Sequence, residues 1–578
     1  VSSFAVGPET EESMTKPRIV HFAGPTATIQ NTPPLVTSNK ARAKYGLPLK
    51  TNPDGTPARY DALRAQRLAA PVTVYVEQFS AHPLEADCAE LYAPPDGYLD
   101  RNDKFHAERR GPDDKPVYAI ELKPEDGLYP LPYMARQADG AAWEEECAFP
   151  GAPEDKARQG FFPDGSRPFE EIDRLMVDDR GWGNLISAKA DVEFVRIMPP
   201  GGYTKGLAAE RRTDRGDGDI PPERRGFDFF AYRPSHLAAP PTRDVLARAT
   251  NRVQEVLGEG RYLGAVWTEG SPNIEETIYW LNLLIDTTVP ICGNAAQRTH
   301  GMISNDGPKN IVDSLDYIVS RVWADAENRN QVGVVLIQEQ QIFAARNVAK
   351  SDARPGNYRA VGGNGGILGA VGHETLPPVL QFIPMTCHTW CSELNLRRLP
   401  HEVGGALCRG ANFESVRVPI KHADGRLVPT AIPPVVIAKD GAYAASDGEI
   451  DIGREPDLLA TLDYLGTNAP LAGIVFEGLA PYGSTQDRAR NRLIHRALYS
   501  GIPVVRVGRG ATEGFVPRRD PCITGSNLTA TKARILLMAA LMKLGCLPPA
   551  ADPNNPTPQE RAAVAQKVDE YQAIFDTH

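Results

Sequence analysis

Residues Thr268–Thr277 read TEGSPNIEET, and what flanks them leaves few folds open. Before them, Leu263–Trp267 is an apolar run short enough to be a buried strand. After them, apolar residues recur at helical spacing over Ile274–Leu284, and Glu275 and Glu276 fall in the first turn, where the helix dipole favours carboxylates. A Thr, a Gly and a Ser therefore occupy a strand-to-helix turn beyond the carboxyl end of a strand. Open α/β sheets build their active sites at such turns. A hydroxyl there can be a nucleophile, can orient another group, or can simply cap the helix.

The same alternation runs through much of the chain. Arg18–Ala23, Pro290–Asn294 and Gly333–Ile337 read as strands, and Thr242–Gly258 reads as a helix. A second αβ unit follows, with strands at Val435–Ala438, Gly473–Phe476 and Val504–Val507 and helices at Thr485–Ser500 and Thr531–Leu544. Strands alternating with helices imply an α/β fold with parallel sheets covered on both faces. Two stretches break the rhythm. Residues 84–233 are dense in Pro, Gly and charge and read as an insertion, with one strand-like segment at Ala190–Met198 and a disordered loop over Gly206–Arg225. Residues 373–434 read as a connection. The expected organisation is an N-terminal domain over 16–372 with that insertion, and a C-terminal α/β domain over 435–578. The last helix, Thr557–Phe575, is amphipathic.

The 578 residues carry a net charge of −10, which argues against nucleic acid or an anionic membrane as partner. The apolar runs are too short to span a bilayer. The cytoplasm is the default compartment, with secretion left open because the chain begins with Val. Eight cysteines in this length are not a disulfide framework. Cys387, Cys391 and Cys408 lack the second close pair of a tetrahedral metal site and read as buried thiols beside Trp390. Gly362–Gly366 lacks the order of a phosphate-binding loop and reads as a turn. No metal and no cofactor is expected.

Further segments accompany TEGSPNIEET in order: Ser304–Asn310 (SNDGPKN), Ala345–Lys350 (ARNVAK), Gly473–Gly478 (GIVFEG), Gly501–Arg509 (GIPVVRVGR) and Asn527–Leu541 (NLTATKARILLMAAL). Together they resemble the bacterial-type asparaginase/glutaminase family over about 18–80, 240–372 and 435–545. The resemblance implies a larger N-terminal and a smaller C-terminal α/β domain. It also implies hydrolysis of a non-peptide amide through an acyl-enzyme, and a homodimer or homotetramer acting on a small amide.

Amide hydrolysis needs an activated nucleophile, a proton acceptor and donors for the oxyanion. The chain has no GxSxG elbow and no evident Ser-His-Asp set. By resemblance, the nucleophile lies in the turn Gly24–Ile29: matching Thr-Ile selects Thr28, with Thr26 as the fallback. Tyr45 takes the place of the family's lid tyrosine, Ser271 that of its second catalytic threonine, and Lys350 that of its lysine. Glu269, Gly270 and Pro272 fall where the family binds substrate. The family's acidic residue after the second threonine is here Pro272, which removes the counter-charge for a substrate ammonium. Glu269 offers a carboxylate from a shifted position. These residues point to an amidohydrolase whose substrate is not plain asparagine. The rival readings are an asparaginase/glutaminase with rebuilt amino-group recognition and a non-catalytic asparaginase-like binding or assembly protein.

Overall fold

The computed structural model describes residues 16–26, short segments between 35 and 196, and residues 241–578 apart from 299–303, 373–375, 442–451, 511–515 and a few briefer stretches. Thr28, Tyr45 and Gly206–Arg225 lie outside the described residues. The chain is α/β, built on an eight-stranded mixed sheet and a separate four-stranded parallel sheet.

Next to one edge of the larger sheet, β1 (Arg18–Ala23) runs parallel between β2 (Asp191–Arg196) and β3 (Gly264–Thr268). The edge strand β2 comes from the stretch 84–233, so this part of that stretch is built into the main sheet. Beyond β3 lie β4 (Ile291–Asn294) and β5 (Val335–Gln338), both parallel, and then the antiparallel strand β6 (Gln341–Ala344). A small hairpin pairs β7 (Val348–Lys350) with β8 (Tyr358–Ala360), placing Lys350 opposite Tyr358.

The helix α1 (Arg243–Gly258) leads into β3, and α2 (Ile274–Leu284) leaves it. Nine of the eleven residues of α2 are buried. A helix apolar all round must be covered all round. Ile274, Ile278 and Leu281 pack in a core with Val20, Phe22 and Trp267 under the large sheet. Tyr279, Trp280, Leu283 and Leu284 pack instead with Ile474, Val505, Leu537 and Leu541 of the C-terminal unit. The helix that starts at the TEGS turn is thus clamped from both sides.

The C-terminal sheet orders β9 (Val435–Lys439), β10 (Gly473–Gly478), β11 (Val504–Gly508) and β12 (Ile523–Thr524), all parallel. Its helix α3 (Ala530–Leu544) packs on α2 and on β10. Lys532 on α3 is buried and donates from Nζ to the backbone oxygens of Ala345, at 2.7 Å, and of Glu275. One side chain of the second unit therefore ties together the start of α2 and the segment leading to Lys350. The final helix α4 (Pro558–Thr577) opens on a capping box between Thr557 and Glu560. No described helix is long and apolar enough to cross a membrane.

Candidate active site

The site forms where β1 and β3 end side by side. Gly24 N–H donates to Thr268 O at 2.9 Å, which keeps the two chains paired one step past the strands. A side chain at Gly24 would come within 2.8 Å of the Trp267 ring, so only glycine lets the turn lie this close. His21 Nε2 and Thr268 Oγ1 share a hydrogen bond of 2.7 Å beneath it.

These contacts bring Thr26 over the TEGS turn. The backbone N–H of Gly270 donates to Thr26 Oγ1 at 3.0 Å. The Thr26 hydroxyl in turn faces Glu269 Oε1 at 3.4 Å. A Cβ on Gly270 would stand 3.0 Å from Thr26 Oγ1, a contact close enough that one of the two turns would have to give by a few tenths of an ångström. The other oxygen of Glu269, Oε2, accepts from Trp267 Nε1 at 3.0 Å. Glu269 is only 6% exposed. Burial pushes its carboxyl up to about 7, against the opposing hydrogen bonds from Trp267, Thr277 and Thr26. This carboxylate thus lies against the β1 turn, with both oxygens engaged within the chain.

Ser271 does not cap α2. The residue at that cap is Asn273, which makes no side-chain cap bond. Ser271 Oγ instead accepts a hydrogen bond from the Tyr358 hydroxyl at 2.7 Å. Burial raises the Tyr358 phenol above its ordinary value, so it remains a donor at neutral pH. Pro272 stands in the turn ahead of the helix rather than in its first turn, in cis peptide linkage to Ser271.

Lys350 reaches the site helix through its backbone: its N–H donates to Glu275 Oε2 at 2.5 Å. It sits beside Ser271 only at one remove, as the cross-strand partner of Tyr358. The SNDGPKN segment shapes the neighbouring turn. Asp306 accepts from the backbone N–H groups of Gln297 and Arg298, and Asn310 donates to Ala295 O at 3.0 Å while its Oδ1 accepts from Glu339 N–H. Those side chains hold loops. Among the described residues no cluster could hold a metal ion. Cys391 Sγ donates to His388 O, and Cys408 Sγ to Gly410 O.

Sequence reasoning missed Tyr358, which carries no motif. Its only sequence signal is its position a few residues after Lys350, beyond a stretch that contains Pro355 and Gly356.

Part of the chain is similar to known proteins. Residues 237–362 match the family model "Asparaginase, N-terminal". The glutaminase-asparaginase of Acinetobacter glutaminasificans is 31% identical over 105 residues, covering 18% of this chain and 30% of its own length. L-asparaginase 2 of Bacillus subtilis is 28% identical over 311 residues, covering 52% of this chain and 66% of its own. The chain therefore spans less than two thirds of these two relatives. A crystal structure of a probable cytoplasmic L-asparaginase from Campylobacter jejuni superposes with a TM-score of 0.43 at 20% identity, over 68% of this chain and 89% of that one. The family-model match and these relatives support the resemblance to the asparaginase/glutaminase family.

Proposed function

We propose that this chain is an amidohydrolase that cleaves a non-peptide C–N amide bond through an acyl-enzyme. A threonine hydroxyl of the turn after β1 is the nucleophile. The observation that carries this reading is the Thr26 hydroxyl, held by the Gly270 N–H at the carboxyl edge of the sheet, facing the buried Glu269 carboxylate and bonded to the residue next to Ser271, which itself pairs with Tyr358. Thr26 is the better supported nucleophile; Thr28, two residues on, is the competitor. Tyr45 assists from the segment that follows. Ser271, Tyr358 and Lys350 serve the opposite side of the scissile group. Gly270 and Pro272 line the substrate, and the missing counter-charge at Pro272 favours a neutral or cyclic amide over an α-amino acid amide. The working unit is a homodimer or homotetramer, which light scattering on active protein would report.

The test is release of ammonia or amine from a panel of small linear and cyclic amides, with acid-quenched samples digested and analysed by mass spectrometry. An acyl adduct on the peptide carrying Thr26 is the expected result. Absence of turnover on every amide, with no adduct, refutes the reading. An adduct on Thr28, abolished by Thr28→Ala and kept by Thr26→Ala, moves the nucleophile by two residues.

A further inference from the structure

A hydroxyl nucleophile is inert until something accepts its proton. Around Thr26 the acceptor can be read from how its hydroxyl is already used. The Gly270 N–H points at Thr26 Oγ1 and occupies one lone pair. A hydroxyl has one proton to give, and the acceptor facing it is Glu269 Oε1. We propose that Glu269 is the general base for Thr26, a carboxylate acting on the nucleophile rather than gripping the substrate. This rests on the amidohydrolase reading above and adds the residue that activates it.

Three observations support the assignment. Glu269 cannot turn away, because Oε2 is held by the Trp267 indole N–H and the Trp267 side chain is fully buried beneath Gly24. The carboxylate lies one residue past β3 and the nucleophile three residues past β1, and the Gly24 N–H to Thr268 O bond holds the two strand ends together just before them. The 3.4 Å separation is long for a formed bond, but it is within the looseness of unliganded sites that tighten around substrate. A general base works best when its proton affinity lies near the working pH. Burial sets Glu269 there, at about 7. The other titratable groups bearing on it are Glu276 on α2, which pushes it further up, and Tyr358 on β8, which stays protonated in this range.

The steps balance. Thr26 Oγ1 attacks the amide carbon as its proton moves to Glu269 Oε1. The tetrahedral adduct collapses, the C–N bond breaks, and that proton passes to the departing nitrogen. Water then attacks the ester carbon and gives a proton to Glu269. The C–O bond to Thr26 breaks and the proton returns to Thr26 Oγ1. One amide and one water yield one acid and one ammonia or amine.

The test is Glu269→Gln, which keeps an oxygen for the Trp267 N–H and removes only the basicity. On the best amide of the panel, kcat falls about 100- to 10,000-fold, while KM moves less than about threefold. In the wild type, kcat/KM rises with pH to a plateau above about 7. The variant's residual rate lacks that limb, and its thermal transition shows a folded protein. Glu269→Asp retains a limb with a reduced plateau. A Glu269→Gln enzyme within threefold of the wild type in kcat, or one that keeps the same pH limb, overturns the assignment and leaves the amidohydrolase reading standing. A loss confined to KM assigns Glu269 to substrate binding and overturns it as well. A wild type with no turnover on any amide removes both readings together.

Discussion

Tyr358 gives its hydroxyl proton to Ser271 Oγ across 2.7 Å, from a strand position that lies directly opposite Lys350. The bond and the strand pairing thus bring together three residues from two distant segments. The bond orients the Ser271 hydroxyl: with Tyr358 donating, the Ser271 proton is free to face substrate or an amine.

If that orientation matters, Tyr358→Phe and Ser271→Ala remove the same thing. Each single change is expected to lower kcat/KM by about tenfold or more, and the double variant to be little worse than either, as coupled neighbours behave. Loss of the buried hydrogen bond costs about 1 kcal/mol of stability, so the folded fraction stays near complete. Additive losses in the double-mutant cycle would refute the coupling.

Glu269 ties activity to instability. Its folded value of about 7 lies above the ordinary 4.5, so between those limits the native state holds more protons than the unfolded chain. Stability therefore falls as pH rises through that window, and the cost is complete above it, reaching about 3 kcal/mol. Glu269→Gln carries no such term. Urea midpoints should show the variant gaining on the wild type from pH 4.5 to pH 8. A gap that does not change with pH contradicts the buried-carboxylate account.

Gly270 is where the two turns touch. In Gly270→Ala the new methyl carbon meets Thr26 Oγ1 at 3.0 Å and Thr26 Cβ at 3.4 Å. Either turn must give by a few tenths of an ångström, at a cost of about 1–3 kcal/mol. The Thr26 hydroxyl then leaves its N–H donor, and kcat is expected to drop at least about tenfold, since small misplacements of reacting groups are expensive. Measured kcat within twofold of the wild type would mean that this contact does not set the nucleophile.

Lys532 carries the opposite linkage. Burial lowers it from 10.5 to about 8, with Glu275 and Glu276 opposing and Arg346 reinforcing. Between those values the unfolded chain holds more protons, so stability rises with pH. The wild type should gain about 3 kcal/mol over Lys532→Met between pH 8 and pH 10.5. At pH 7 the variant leaves the oxygens of Glu275 and Ala345 without their donor. Its activity should fall together with its stability, because those two carbonyls lie on the segments that carry Ser271 and Lys350. An unchanged pH dependence of the denaturation midpoint would argue against a buried, titrating Lys532.

Much of the architecture was legible because it is written in short-range periodicity. Arg18–Ala23 and Ile274–Leu284 take their expected bounds, and the strands and helices of the C-terminal unit fall within a few residues of theirs. The TEGS motif was equally legible: its turn does follow a strand end. Local pattern determined these features because a strand or helix is specified by residues a few positions apart. The placement of β2 in the main sheet, the Tyr358–Ser271 bond and the direction of the Glu269 carboxylate were decided only by the tertiary structure. Glu269 meets Thr26 across 243 positions, and Tyr358 meets Ser271 across 87. Which way a side chain turns at such a meeting depends on the register of parallel strands and on what is buried beneath them. By itself the turn read first as a helix cap, and only the family resemblance made Ser271 a catalytic candidate; the structure pairs Ser271 with Tyr358 and leaves the cap to Asn273.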